Sequence, residues 1–226
     1  DHSTQTNPSE LRVPVIPPVE SVGMYFRVLV TGKGYSDNIV GYHLLEVPTG
    51  QSLLSSPLAK GDNTLATLLP TGPANLTVST WNSEAGEWTA STFGEAWSNA
   101  GLTIAPGQAA LFDNKTGSAV TLKFTGQVTQ GSLSAAIPVG DSYHAATLPL
   151  AGEVSTDFEL PTAEGLKVSL LNNATGDWET STYTDGAWSP NELVLAAGQG
   201  FRVTSLEALN WNRDINLNSQ GTPKIV

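Results

Sequence analysis

A chain of 226 residues, 39% hydrophobic and only 14% charged, can bury one large core or two small ones and is too apolar to stay disordered. Acidic residues outnumber basic ones by 21 to 10, and a net charge of −11 repels phosphate backbones and anionic lipid, which argues against nucleic-acid and membrane-surface partners. Cysteine is absent, so neither a disulfide framework nor a thiolate site can form, and no run is long and apolar enough to read as a membrane-spanning helix.

The strands read from the sequence are also too short, and too often broken by Asp, Asn and Gly, for an outer-membrane barrel. The chain begins at Asp1 and its only methionine is Met24, the arrangement expected after cleavage of an export signal. With a surface rich in Ser, Thr, Asn and Gly, the expected location is extracellular or at the cell surface.

Residues 1–23 read as an extended N-terminal arm. Asp1–Glu10 is polar, and Leu11–Val19 is apolar with prolines at 14, 17 and 18. Leu11, Val13 and Val15 would share one face of an extended strand, with Ile16 and Val19 completing the apolar set. Such a segment suits strand addition to a neighbouring copy, at an edge because proline cannot donate to a ladder; the alternative is docking on its own subunit.

Residues 24–128 and 129–226 read as two tandem β-units, either separate beads or halves of one pseudo-symmetric body. Leu76–Trp88 matches Leu166–Trp178 at an offset of 90, and Ser91-Thr-Phe93 matches Ser181-Thr-Tyr183. Ala96-Trp-Ser98 then meets Ala187-Trp-Ser189, and Gly107-Gln108 meets Gly198-Gln199, both at an offset of 91. Upstream, Val47-Pro-Thr-Gly50 answers Ile137-Pro-Val-Gly140. Matches so ordered imply an internal duplication.

Within the first unit, Asp62–Leu69 carries Leu65, Leu68 and Leu69 on one face between a capping Asp or Asn and Pro70, which predicts a short helix; Ser155–Leu160 is its counterpart. Leu76–Trp81 and Trp88–Phe93 predict a hairpin with a loop longer than two residues. Strands are expected to end at Ile104-Ala-Pro-Gly107 and Leu195-Ala-Ala-Gly198, and to follow at Ala109–Phe112, Val120–Phe124 and Gly200–Thr204. The fold class is therefore all-β, with two internally duplicated sandwich- or barrel-like units, short helical turns and an extended arm.

Tyr35–Tyr42 followed by Val47–Leu54, together with Gly186-Ala-Trp-Ser189 and Ala197-Gly-Gln-Gly-Phe201, resembles segments of uncharacterised secreted, duplicated β-proteins of planctomycete- and verrucomicrobia-type bacteria. The resemblance spans most of residues 35–217 and implies an exported surface protein without specifying an activity.

Six tryptophans invite a sugar-stacking role, but Trp88 and Trp178 occupy equivalent positions, as do Trp97 and Trp188. Repeated positions mark a repeated structural task, so these four are expected to anchor the repeat cores, and Trp81, aligned with Leu171, reads as core as well. Trp211, among Asn and Arg, is the tryptophan expected at the surface.

Catalytic chemistry finds little footing. Glu84 with Glu87, or Asp177 with Glu179, could be nominated as a hydrolase pair, but they lie in or beside hairpin loops where solvated acids are ordinary. His43 and His144 neighbour no nucleophile elbow and form no metal spacing. Asp37, Asp62 and Asp141 read as turn residues rather than calcium ligands. The expectation is a non-enzymatic structural protein without cofactor, catalytic residue or metal. Its partner would be itself, as a head-to-tail homopolymer forming a filament, sheath or surface layer. The alternative is an extracellular carbohydrate-binding or adhesive module directed at surface polysaccharide.

Overall fold

The computed structural model describes residues 9–12, 23–30, 34–35 and 38–215, with side chains described for 23–26 and 38–215. The first stretch holds β1 (Ser9–Arg12), β2 (Gly23–Val30), β3 (Gly34–Tyr35), β4 (Val40–Val47) and β5 (Gly50–Leu54). A single helical turn, α1 (Leu65–Leu68), precedes β6 (Leu76–Asn82), β7 (Glu87–Thr92), β8 (Ala110–Asn114) and β9 (Val120–Gln127). Then come β10 (Gly131–Ile137), β11 (Gly140–Ala145), β12 (Gly152–Glu153), β13 (Lys167–Leu171) and β14 (Trp178–Thr184). The chain continues through β15 (Ala187–Ser189), β16 (Val194–Leu195), β17 (Gly200–Ser205) and β18 (Leu209–Ile215). The protein is thus nearly all β, in several antiparallel sheets, none of them closed.

One sheet runs β5-β8-β6-β7 and another β11-β17-β13-β14-β15, so that four positions follow in the same order. Their registers also agree. Val78 lies opposite Ser91 and Phe112, while Val168 lies opposite Ser181 and Val203. Gly50 and Gly140 open β5 and β11 with φ of +86° and +91°, which explains why both turns end in glycine.

A second layer covers each sheet: β4 paired with β9 in the first unit, β10 paired with β18 in the second. One difference separates them. The other edge of β4 carries β2, which pairs Gly23 to His43 through Phe26 to Val40, whereas among the described residues β10 pairs with β18 alone.

Two apolar cores form between these layers because the strands alternate. Leu45, Val47, Val78, Phe112 and Phe124 meet in the first, together with Leu65 and Leu68 of α1. Ile137, Val168, Phe201, Val203 and Trp211 meet in the second. Each such side chain, fully withdrawn from water, contributes about 1.5–3 kcal/mol.

Several local expectations need correction. The helix shrinks to Leu65–Leu68, because Asp62 spends its carboxylate on the Thr64 amide and hydroxyl and on the Thr67 hydroxyl. Those bonds hold Asp62 below the usual carboxylate range. Ser155–Leu160 is a turn rather than a helix, with both the Asp157 and Phe158 amides bonded to the Glu153 carbonyl. Around Ile104 there is no strand, only an isolated bridge between Thr64 and Thr103; its counterpart is the two-residue β16.

Of the five apolar arm residues named above, Leu11 alone lies among the described ones, and its main chain, within β1, pairs with that of Val28 in the same chain. Val13, Val15, Ile16 and Val19 lie outside the described residues.

Candidate functional site

The feature that sequence reasoning left open is the seam between the units. On β6 and β13 the even residues Val78 and Val168 enter the cores, so Ser79, Trp81, Ser169 and Leu171 face the other way. Those two outer faces pack together on a base of Leu53 and Ala109 from the first unit and Ala145 and Leu171 from the second.

Main-chain contacts cross the seam in reciprocal pairs. Leu54 bridges Gln199 and Gln108 bridges His144. The Ser55 amide donates to the Gly198 carbonyl at 2.9 Å, and the Ala145 amide to the Gly107 carbonyl at 3.0 Å. Each member of one pair is matched in the other by the residue 90 or 91 positions away, with the units exchanged. That is the signature of an interface folded about a two-fold axis.

Aromatic rings close one side of the seam. Trp88 lies 5.3 Å from Trp81, to which it is paired across the β6–β7 hairpin, and 4.7 Å from Tyr143 of β11. Tyr143 is 5.5 Å from Trp81 and 6.5 Å from Trp178. The Arg202 guanidinium sits 4.2 Å over the Trp178 ring, and the Trp81 indole donates to the Asp141 carbonyl at 3.1 Å. All four rings are half-buried. Tilted pairs of this kind add about 0.5–1.5 kcal/mol each beyond the area they bury. Burial pushes the Tyr143 phenol up, against the pull of Arg202.

The reciprocal positions hold smaller residues, Leu53 where the other side has Tyr143 and Leu171 where it has Trp81. There the surface opens as a groove lined by Leu44, Leu54, Leu171, Ala197 and Gln199.

The anchor tryptophans therefore divide. Trp97 is buried in the first core, 5.1 Å from Phe93, and donates to the Leu69 carbonyl at 2.6 Å. Trp188 is half-buried against the second core, 5.4 Å from Tyr183, and donates to Ser155 Oγ at 2.9 Å. Trp88, Trp178 and Trp81 enter neither core. Strand parity places them on the outer faces, where Tyr143 of the opposite unit meets Trp81 and Trp88, and Arg202 of its own unit lies over Trp178.

Trp211, expected outside, is fully buried: it donates to the Phe158 carbonyl at 2.7 Å and packs 5.7 Å from Phe201. On β18 its polar neighbours Asn210, Asn212 and Asp214 point outward, while Trp211 and Arg213 point in. The Arg213 guanidinium lies 3.7 Å over the Trp211 ring, and burial lowers its pKa to about 10.

The nominated titratable groups serve local structure. His43 meets the Tyr25 hydroxyl at 3.1 Å and His144 meets Ser142 Oγ at 2.9 Å; burial lowers both imidazoles to about 4. Asp141 accepts from the Thr204 hydroxyl. Glu84, Glu87, Asp177 and Glu179 are exposed around the hairpin ends. Glu192, which drew no notice in the sequence, accepts from the amides and hydroxyls of Ser155 and Thr156 and so ties the turn to the loop before β16. Among the described residues no three metal-ligating side chains of the His, Cys, Asp and Glu types gather, and Asp37 lies outside them.

Set against protein-family models, curated proteins and solved structures, the chain matches none of them.

Proposed function

We propose that this protein is an extracellular structural subunit in which a β-unit of about 90 residues, duplicated and fused, forms one rigid block that associates with further copies in a filament, sheath or layer. The observation that carries the reading is the seam. Reciprocal main-chain bonds, a buried apolar base and the ring cluster of Trp81, Trp88, Tyr143 and Trp178 join the two cores, and stiffness is what a building subunit requires. The shared strand order and matching register, at the offsets of the sequence matches, support the duplication.

The same cluster weighs against a sugar platform, because one face of Trp178 is taken by Arg202, and Trp88 packs against both Trp81 and Tyr143. Electron microscopy and sedimentation of the purified full chain over a range of concentrations test the proposal, with ordered assemblies expected. Monomers throughout, together with glycan binding abolished by Trp88→Ala or Trp178→Ala, would replace it with the adhesive reading.

A further inference from the structure

We propose that the exposed edge of β10 docks against β10 of a second copy, antiparallel and about a two-fold axis, to give a continuous sheet β18-β10-β10′-β18′. This names the partner and the surface for one contact of the assembly above, a two-fold contact that pairs copies and leaves extension to a second surface, and it rests on that reading.

Three observations lead to this edge. The matching edge of β4 is occupied in the same chain by β2, so the geometry of this layer accepts a further antiparallel strand. In the second unit the seven residues Gly131–Ile137 have a partner on one side only, among the described residues, and most are exposed or half-buried.

The second observation is chemical. Exposed edges are normally guarded by charge, proline, bulges or brevity. Among the other outer strands, β7 carries Glu87, β9 Lys123, β11 Asp141 and β18 Asp214, β15 has three residues, and β5, uncharged like β10, is met across the seam where Leu54 bridges Gln199. The sequence of β10, Gly-Ser-Leu-Ser-Ala-Ala-Ile, carries none of these guards.

The third observation is that this sequence complements itself. An antiparallel pairing centred on Ser134 sets Gly131 against Ile137′, Leu133 against Ala135′, and Ser132 against Ala136′. Each larger apolar side chain on the inner face then meets a small one, and the outer face brings together small residues that crowd nothing. No like charges are brought opposite one another within the strand pair. The repulsion of two bodies of net charge −11 is long-range and screened over about 8 Å at physiological ionic strength, so the dimer strengthens as salt is added.

The register supplies a direct test. Ser134 is exposed and lies across from Ser134′ at the axis. Ser134→Asp and Ser134→Lys each place like charges opposite one another, and analytical ultracentrifugation at about 100 µM should show dimerisation weakened by at least about tenfold in either variant. An equimolar mixture of the two should recover the dimer as a hetero-pair, an outcome that damage to the fold cannot produce. If one variant melts early, Ser132→Asp mixed with Ala136→Lys probes the same register.

Wild-type protein that assembles no better than these variants would remove β10 from the interface and leave the structural-subunit reading standing. Wild-type protein that is monomeric in the centrifuge and featureless by electron microscopy would overturn both. Dimers that appear only after deletion of residues 216–226 would make that segment the occupant of the edge instead of a second copy.

Discussion

Gly200 and Ala109 occupy equivalent places in the two units and meet each other at the seam, so close that a Cβ on Gly200 would lie 2.6 Å from the Cβ of Ala109. The same Cβ would stand 2.9 Å from Cγ of Leu53. Neither neighbour is a flexible chain end that can swing aside. Gly200→Ala should therefore destabilise the protein by about 1–3 kcal/mol, the usual cost of overpacking. Combining it with Ala109→Gly should return a large part of that loss. Urea titration of the two single variants and the double variant measures the coupling; simple additivity would mean that the units do not touch there.

Trp97 and Trp88 hold equal interest in the sequence and unequal places in the fold. Trp97→Ala removes a buried ring and its bond to the Leu69 carbonyl, for an expected loss of about 3–5 kcal/mol. Trp88→Ala empties a half-buried site in the seam and should cost about 1–2 kcal/mol. Denaturation midpoints of the two variants decide the order, and a reversed order would mean that the seam outweighs the core.

Much of the all-β sheet architecture was legible from alternation and turn chemistry. Leu76 and Val78 announce their face of β6, and the repeated glycines at 50 and 140 announce the turns. The seam was not legible, because parity says only that Trp81 and Trp88 share a face with Ser79 and Ala90, never whether a second sheet will cover it. Trp211 failed for a related reason. Its polar neighbours in sequence lie on the opposite face of β18, so composition around the residue reported on the wrong side of the strand. Capping by Glu192 depends on a contact 36 or 37 residues away in the chain, beyond any local pattern.

Acid should weaken the protein through His43 and His144. Both imidazoles are lowered to about 4 by burial, His144 also by Arg213, against an ordinary value near 6.5. The folded state then takes up protons less readily than the unfolded chain. Stability is complete above roughly pH 6.5 and falls as the pH drops toward about 4, by up to about 3 kcal/mol for each group. The other unit suggests the control: Leu54 stands where His144 does, and Leu133 where His43 does. His144→Leu and His43→Leu should flatten this part of the pH profile, read from denaturant midpoints at several pH values; an unaltered slope would assign it elsewhere.

Glu192 should matter beyond its exposed neighbours. Burial pushes its carboxyl up, but the bonds from Ser155 and Thr156 outweigh this and hold it below the ordinary range. Its contribution is present above the usual glutamate pKa and is lost as the pH falls through the lowered one. Glu192→Ala leaves the Ser155 and Thr156 amides without that acceptor, for an expected loss of about 1–2 kcal/mol at neutral pH. Faster amide exchange confined to residues 153–158 would accompany it, and unchanged exchange there would show that another acceptor takes over.

Leu53 and Leu171, sitting where the opposite side has Tyr143 and Trp81, mean that the junction is filled on one side and grooved on the other. Two separate identical chains could not diverge in this way, since every substitution would appear on both sides at once. Joined in one polypeptide, the halves are free to differ, and the block acquires a front and a back. A body with distinguishable faces can offer a different contact on each, which is what any association extending beyond a two-fold pair requires.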